Sequence, residues 1–105
     1  MGDRTRDPLT LDELRTHRDA IVALAERYGA YNVRVFGSVA RGESTPDSDV
    51  DLLITARKGV TMFDLVGLWL DLQELLECEV SLTTDDEIPR HERFMQRVRK
   101  DAVPL

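Results

Sequence analysis

The sequence predicts an α/β (α+β) fold, a small mixed β-sheet flanked by helices. Apolar residues recur at helical spacing in two segments, from Leu14 to Tyr28 and from Met62 to Leu76. Short β-branched runs, YNVRVF, VDLLI and CEVSLTT, lie between and after them. A tight connection between the first two runs suits antiparallel strands, and a helix between the second and third suits a parallel crossover. A sheet of three or four strands follows, packed by helices.

In chain order, TLDE at Thr10–Glu13 has the pattern of a capping box and opens the first helix. Leu14, Ile21, Leu24, Ala25 and Tyr28 form its apolar stripe, and Gly29 stands where a C-terminal cap belongs. Tyr31–Phe36 is the first strand. Gly37 and Ser38 end it, VAR forms a short helical turn, and GESTPDS over residues 42–48 is a turn by composition. Residues 49–55 are the second strand, with Asp49, Asp51 and Leu53 on one face and Val50, Leu52 and Ile54 on the other. TMFD caps the next helix, whose predicted stripe is Met62, Leu65, Trp69, Leu72 and Leu76. CEVSLTT is the third strand. Pro89 opens a last amphipathic helix carrying Phe94, Met95 and Val98.

A chain of 105 residues suits one domain across residues 1–105, with residues 1–8 expected to be flexible. It is 42% hydrophobic and 32% charged, too apolar for intrinsic disorder. A net charge of -6 disfavours a grip on nucleic acid through its phosphates. Neither a leader-like start nor a membrane-length apolar run is present in MGDRTRDPLT or beyond it, so the expected setting is cytoplasmic, without a membrane partner. The single cysteine, Cys78, agrees with a reducing compartment. His17 and His91 read as solvated, Trp69 as core, and Cys78 as a small packed residue.

The chemistry concentrates in VFGSVARGESTPDSDVDLLI, residues 35–54. Residues at i and i+2 on a strand lie about 6.5 Å apart on one face, so Asp49 and Asp51 can converge. Two such carboxylates repel unless a cation neutralises them, and oxygen ligands with a phosphorylated substrate suit Mg2+. Gly37 allows close approach of backbone to a ligand, Ser38 adds a hydroxyl, and N–H groups at the start of a helical turn favour phosphate oxygens. Neither half is specific alone; Gly-Ser followed by Asp-x-Asp on a neighbouring strand is far more so.

GSVARGESTPDSDVDLL resembles the signature of the DNA polymerase beta-like nucleotidyltransferase superfamily, and most closely the minimal nucleotidyltransferase (MNT) family. The likeness covers nearly the whole chain, including the leading helix, VRVF and the terminal AVPL. It implies a nucleotidyltransferase fold that uses ATP and one or two Mg2+ ions to transfer an adenylyl group to a hydroxyl. Gly37 and Ser38 would hold phosphates, Asp49 and Asp51 the metals, and Arg41 would neutralise phosphate charge or pair with Glu43. The implied partner is a HEPN-domain toxin, adenylylated on a tyrosine by an antitoxin of this kind. The family's usual V-D-L in the third strand is here Val80, Ser81 and Leu82, so a neutral hydroxyl stands where a third carboxylate is common. Glu79, two residues earlier on the same face, is the candidate substitute. Two alternatives stay open: neutralisation of the partner by binding alone, and a small-molecule nucleotidyltransferase. Oligomer formation is left open as well.

Overall fold

In a computed structural model the chain is described over residues 9–43, 49–85 and 100–105. The helix expected from Pro89, with Phe94, Met95 and Val98, lies outside the described residues, as do His91, residues 1–8 and residues 44–48 of the expected turn.

The first helix is in fact two, α1 (Leu11–Thr16) and α2 (Arg18–Arg27), broken at His17. Thr10 Oγ1 accepts the Glu13 N–H at 3.1 Å and so opens α1 as expected. At the break the His17 N–H closes on the Leu14 carbonyl at 3.0 Å, a tighter turn than the helical ladder, while the Thr16 hydroxyl donates to the Glu13 carbonyl at 2.6 Å. Gly29 follows α2 with φ +84° and lets the chain turn into β1 (Ala30–Phe36).

The short α3 (Gly37–Arg41) leads towards β2 (Val50–Ala56), which pairs antiparallel with β1. A full capping box between Thr61 and Asp64 starts α4 (Met62–Leu76), which crosses over to β3 (Val80–Thr84), parallel to β2. The fourth strand, allowed for in number but not located by the sequence, is β4 (Val103–Pro104), antiparallel to β1, so the sheet order is β3-β2-β1-β4. Proline is tolerated there because β4 is an edge. Leu105 donates its N–H to the Val33 carbonyl at 3.2 Å and is itself buried.

The two faces of the sheet differ. Val35, Val50, Leu52 and Ile54 join Leu14, Ile21, Leu68 and Leu72 in the main core. Phe36 and Leu53 form a small second cluster with Ala102 on the opposite face, the one that also carries Asp51. On that face Arg34 of β1 and Thr55 of β2 are tied to Asp85, the residue just past β3, with Arg34–Asp85 at 2.9 Å and Thr55–Asp85 at 2.6 Å.

The stripe expected on α4 needs correction. Met62 is 66% exposed, whereas Leu68, outside the expected stripe, is fully buried together with Leu72 and Leu76. Gly67 explains the rotation. A Cβ there would meet the Tyr28 ring, which lies against this turn while its hydroxyl donates to Asp71 at 2.6 Å.

Candidate active site

Phe36 is the last residue of β1 and stands opposite Asp51 of β2. Gly37 follows in the left-handed region, φ +75°, and a Cβ at this position would collide with the Asp51 carboxylate. Glycine is therefore required twice, by conformation and by space. The backbone turn at Gly37 and the Asp51 side chain are thus pressed together.

Ser38 and Val39 continue into α3. Val39 is buried and anchors it, Gly42 closes it at φ +74°, and Glu43 donates its N–H to the Ser38 carbonyl at 2.8 Å. Phe36, at the N-cap of α3, supplies no side-chain hydrogen bond to its first turn, whose N–H groups are donors of the kind that ligand oxygens accept from.

Asp49 is exposed just ahead of β2, one residue outside the strand, and Asp51 is half-buried within it. Burial, and then the neighbouring Asp49 charge, push the Asp51 carboxyl above the ordinary carboxylate range; Arg41 acts in the opposite direction. A half-buried carboxylate with a second carboxylate beside it offers oxygen donors to a hard cation, which relieves the repulsion. The pair therefore offers oxygen donors of the kind a divalent cation takes.

Across the other edge of β2, the residue opposite Asp51 is Ser81. Among the described residues no three His, Cys, Asp or Glu side chains gather closely enough to hold a metal ion. Glu79 is exposed and is not drawn into such a group; its backbone carbonyl accepts the Val50 N–H at 3.0 Å. Arg41 pairs with Glu43 at 2.9 Å and with Asp101 at 2.7 Å, so the paired alternative is the geometry seen.

Asp49 also borders an open pocket of about 400 Å3 between α4 and β3, lined by Met62, Leu65, Val66, Trp69 and Leu82 among others. Trp69, expected in the core, is only half-buried, and its indole N–H donates to the Val80 carbonyl at 2.6 Å.

The nucleotidyltransferase domain family matches residues 17–104. This chain belongs to it. A Methanocaldococcus jannaschii relative, provisionally named a protein adenylyltransferase, is 34% identical over 85 residues, 81% of this chain and 89% of its own. A solved structure provisionally described as a minimal nucleotidyltransferase is 42% identical, with a TM-score of 0.79 over 91% of this chain and 96% of the other. A toxin-antitoxin structure with AMP-PNP shares the fold at 19% identity and a TM-score of 0.69, over 82% of this chain and 69% of the other.

Within this nucleotidyltransferase domain the structure brings Gly37, Ser38, Asp49 and Asp51 to one end of the sheet, where the sequence pattern located them. Sequence reasoning missed the second partner of Arg41, Asp101, and the pocket beside Asp49. A signal for the pocket existed. Apolar residues occur almost all round α4, more than one buried face can use. No helix among the described residues is long and apolar enough to cross a membrane.

Proposed function

We propose that this nucleotidyltransferase domain transfers an adenylyl group from ATP to a hydroxyl of a partner toxin, and so acts as an antitoxin. The observation that carries the reading is the closure of the Gly37 backbone onto Asp51 at the start of α3. The name of the M. jannaschii relative supports a protein acceptor, and the toxin-antitoxin fold likeness supports a toxin in that role. The partner we expect is of HEPN type, modified on a tyrosine.

Asp49 and Asp51 would hold Mg2+, which when bound supplies charge neutralisation at the phosphates. Gly37 and Ser38 orient the distal phosphates through backbone N–H groups and the Ser38 hydroxyl. Arg41 contributes positive charge once it exchanges Glu43 or Asp101 for a phosphate. The acceptor oxygen bonds to the α-phosphorus as the bond to the β-phosphate oxygen breaks. Pyrophosphate leaves and the hydroxyl proton passes to solvent.

The test is co-expression with the partner toxin, followed by the intact mass of the partner with and without Asp51→Asn. Adenylyl additions that disappear in the variant are expected; a stable complex whose partner is unmodified in both would overturn the enzymatic reading. Ser81, opposite Asp51, favours a second reading, neutralisation by binding alone. Ser81→Asp separates the two. A weakened enzyme gains about tenfold or more in transfer when the carboxylate is restored, whereas a pure binder gains nothing.

A further inference from the structure

Tyr31 aside, every exposed large hydrophobic side chain among the described residues lies on α4: Met62, Phe63 (89% exposed), Val66 and Leu70 (52%). Met62, Val66 and Leu70 follow one another at four-residue spacing, and Phe63 sits three and seven residues before Val66 and Leu70, so the four form one continuous stripe. This stripe runs into the pocket, to which Met62 and Val66 also belong, and the pocket opens against β3, the outer strand of the sheet. Thr84 lines the same pocket with a buried hydroxyl that has no hydrogen-bond partner. An apolar surface of this kind asks for a cover.

Charge indicates which cover. From Gly59 to Thr84 the chain carries not one Lys, Arg or His, and Glu74, Glu77 and Glu79 are exposed there, whereas Asp64 caps α4 with Thr61 and Asp71 accepts from Tyr28. A second copy of the chain would lay this acidic rim against an identical one, which two-fold symmetry makes unavoidable when α4 meets α4. An anionic lipid surface is repelled for the same reason. We propose that the outer face of α4 and its pocket with β3 dock an amphipathic helix of a partner protein, one whose apolar stripe is flanked by Lys and Arg. A bulky apolar side chain of that helix fills the pocket, and its basic flanks meet the acidic rim. Because Asp49 borders the same pocket, a partner seated there abuts the aspartate pair.

The inference goes beyond nucleotidyl transfer and stands without it, since it concerns a surface that neither Asp51 nor Gly37 forms. Trp69, the only tryptophan, lines the pocket and reports its occupancy. The probes are two Trp-free synthetic helical peptides, a leucine stripe flanked by lysines and the same stripe flanked by glutamates, titrated against the full chain. The lysine peptide is expected to shift Trp69 emission, to weaken as salt rises, and to lose about tenfold or more in affinity with Phe63→Asp or Leu70→Asp. The glutamate peptide is expected not to bind. Both substitutions fall at exposed positions, and unchanged Mg2+–ATP binding in each variant shows that the fold and the aspartate site are intact. Equal binding of the two peptides, or none by either, overturns the proposal. So does a dimer of the isolated protein in sedimentation that Phe63→Asp dissociates, which gives the surface to a second copy. Binding to phosphatidylserine vesicles that Phe63→Asp abolishes gives it to a membrane and overturns the proposal equally.

Discussion

At the residue scale, Asp51, the metal ligand we propose, is held as a carboxylate at a cost in stability. Burial and Asp49 hold its carboxyl above its ordinary range, so the folded state binds this proton more tightly than the unfolded chain does. The stability that results is complete below the unfolded value and is lost as pH rises through the folded one. At neutral pH, without metal, Asp51→Asn is therefore expected to raise the melting temperature by a few degrees and to flatten this pH dependence, while adenylyl transfer falls about 100-fold or more. Thermal melts of both proteins across the acid range, with and without Mg2+–ATP, check both halves. Gly37→Ala should lose stability instead. Its φ of +75° costs an alanine about 1 kcal/mol, and the new methyl group displaces the Asp51 carboxylate. Lower stability together with loss of Mg2+–ATP binding by calorimetry is expected, whereas intact binding would mean that Asp51 does not need its contact with Gly37.

At the element scale, α4 separates two roles that its sequence mixes. Leu68, Leu72 and Leu76 face the sheet and are buried, whereas Phe63, Val66 and Leu70 face outwards. Leu68→Ala is expected to cost about 2–5 kcal/mol, because it empties a fully packed site. Phe63→Ala should change stability by less than about 0.5 kcal/mol, although phenylalanine is the larger residue. Urea denaturation of the two variants compares them directly; equal losses would mean that α4 is rotated about its axis from the orientation seen.

At the scale of the whole molecule, the chain's end completes its beginning. Arg15 of α1 donates to the Pro104 carbonyl at 2.9 Å, Leu105 sits in the main core, and Arg41 holds Asp101. Removing Val103–Leu105 strips β4 from β1 and exposes that core, with an expected loss of about 3 kcal/mol or more from Leu105 and its neighbours together. Denaturant titration of the truncated protein measures it. Loss of the Asp101 anchor without truncation, through Asp101→Ala, should leave the strand in place.

The sequence alone determined what is local. Helical spacing, the β-branched runs and the capping pattern at Thr61 each act within a few residues, and each produced the element it signals. The turn at Gly37 and the strand that carries Asp51 were legible for the same reason, since a turn and a strand start have characteristic residues. The break at His17 was not, because neither Gly nor Pro marks it and it consists in one N–H closing on Leu14 instead of Glu13. Contacts between distant segments belonged to the tertiary structure. Only register sets Ser81 opposite Asp51 and Gly37 against its carboxylate, and only packing around Tyr28 and Gly67 chose which side of α4 to bury. A two-residue strand such as β4 has no periodicity to read; it exists because β1 offers it an edge and the core accepts Leu105.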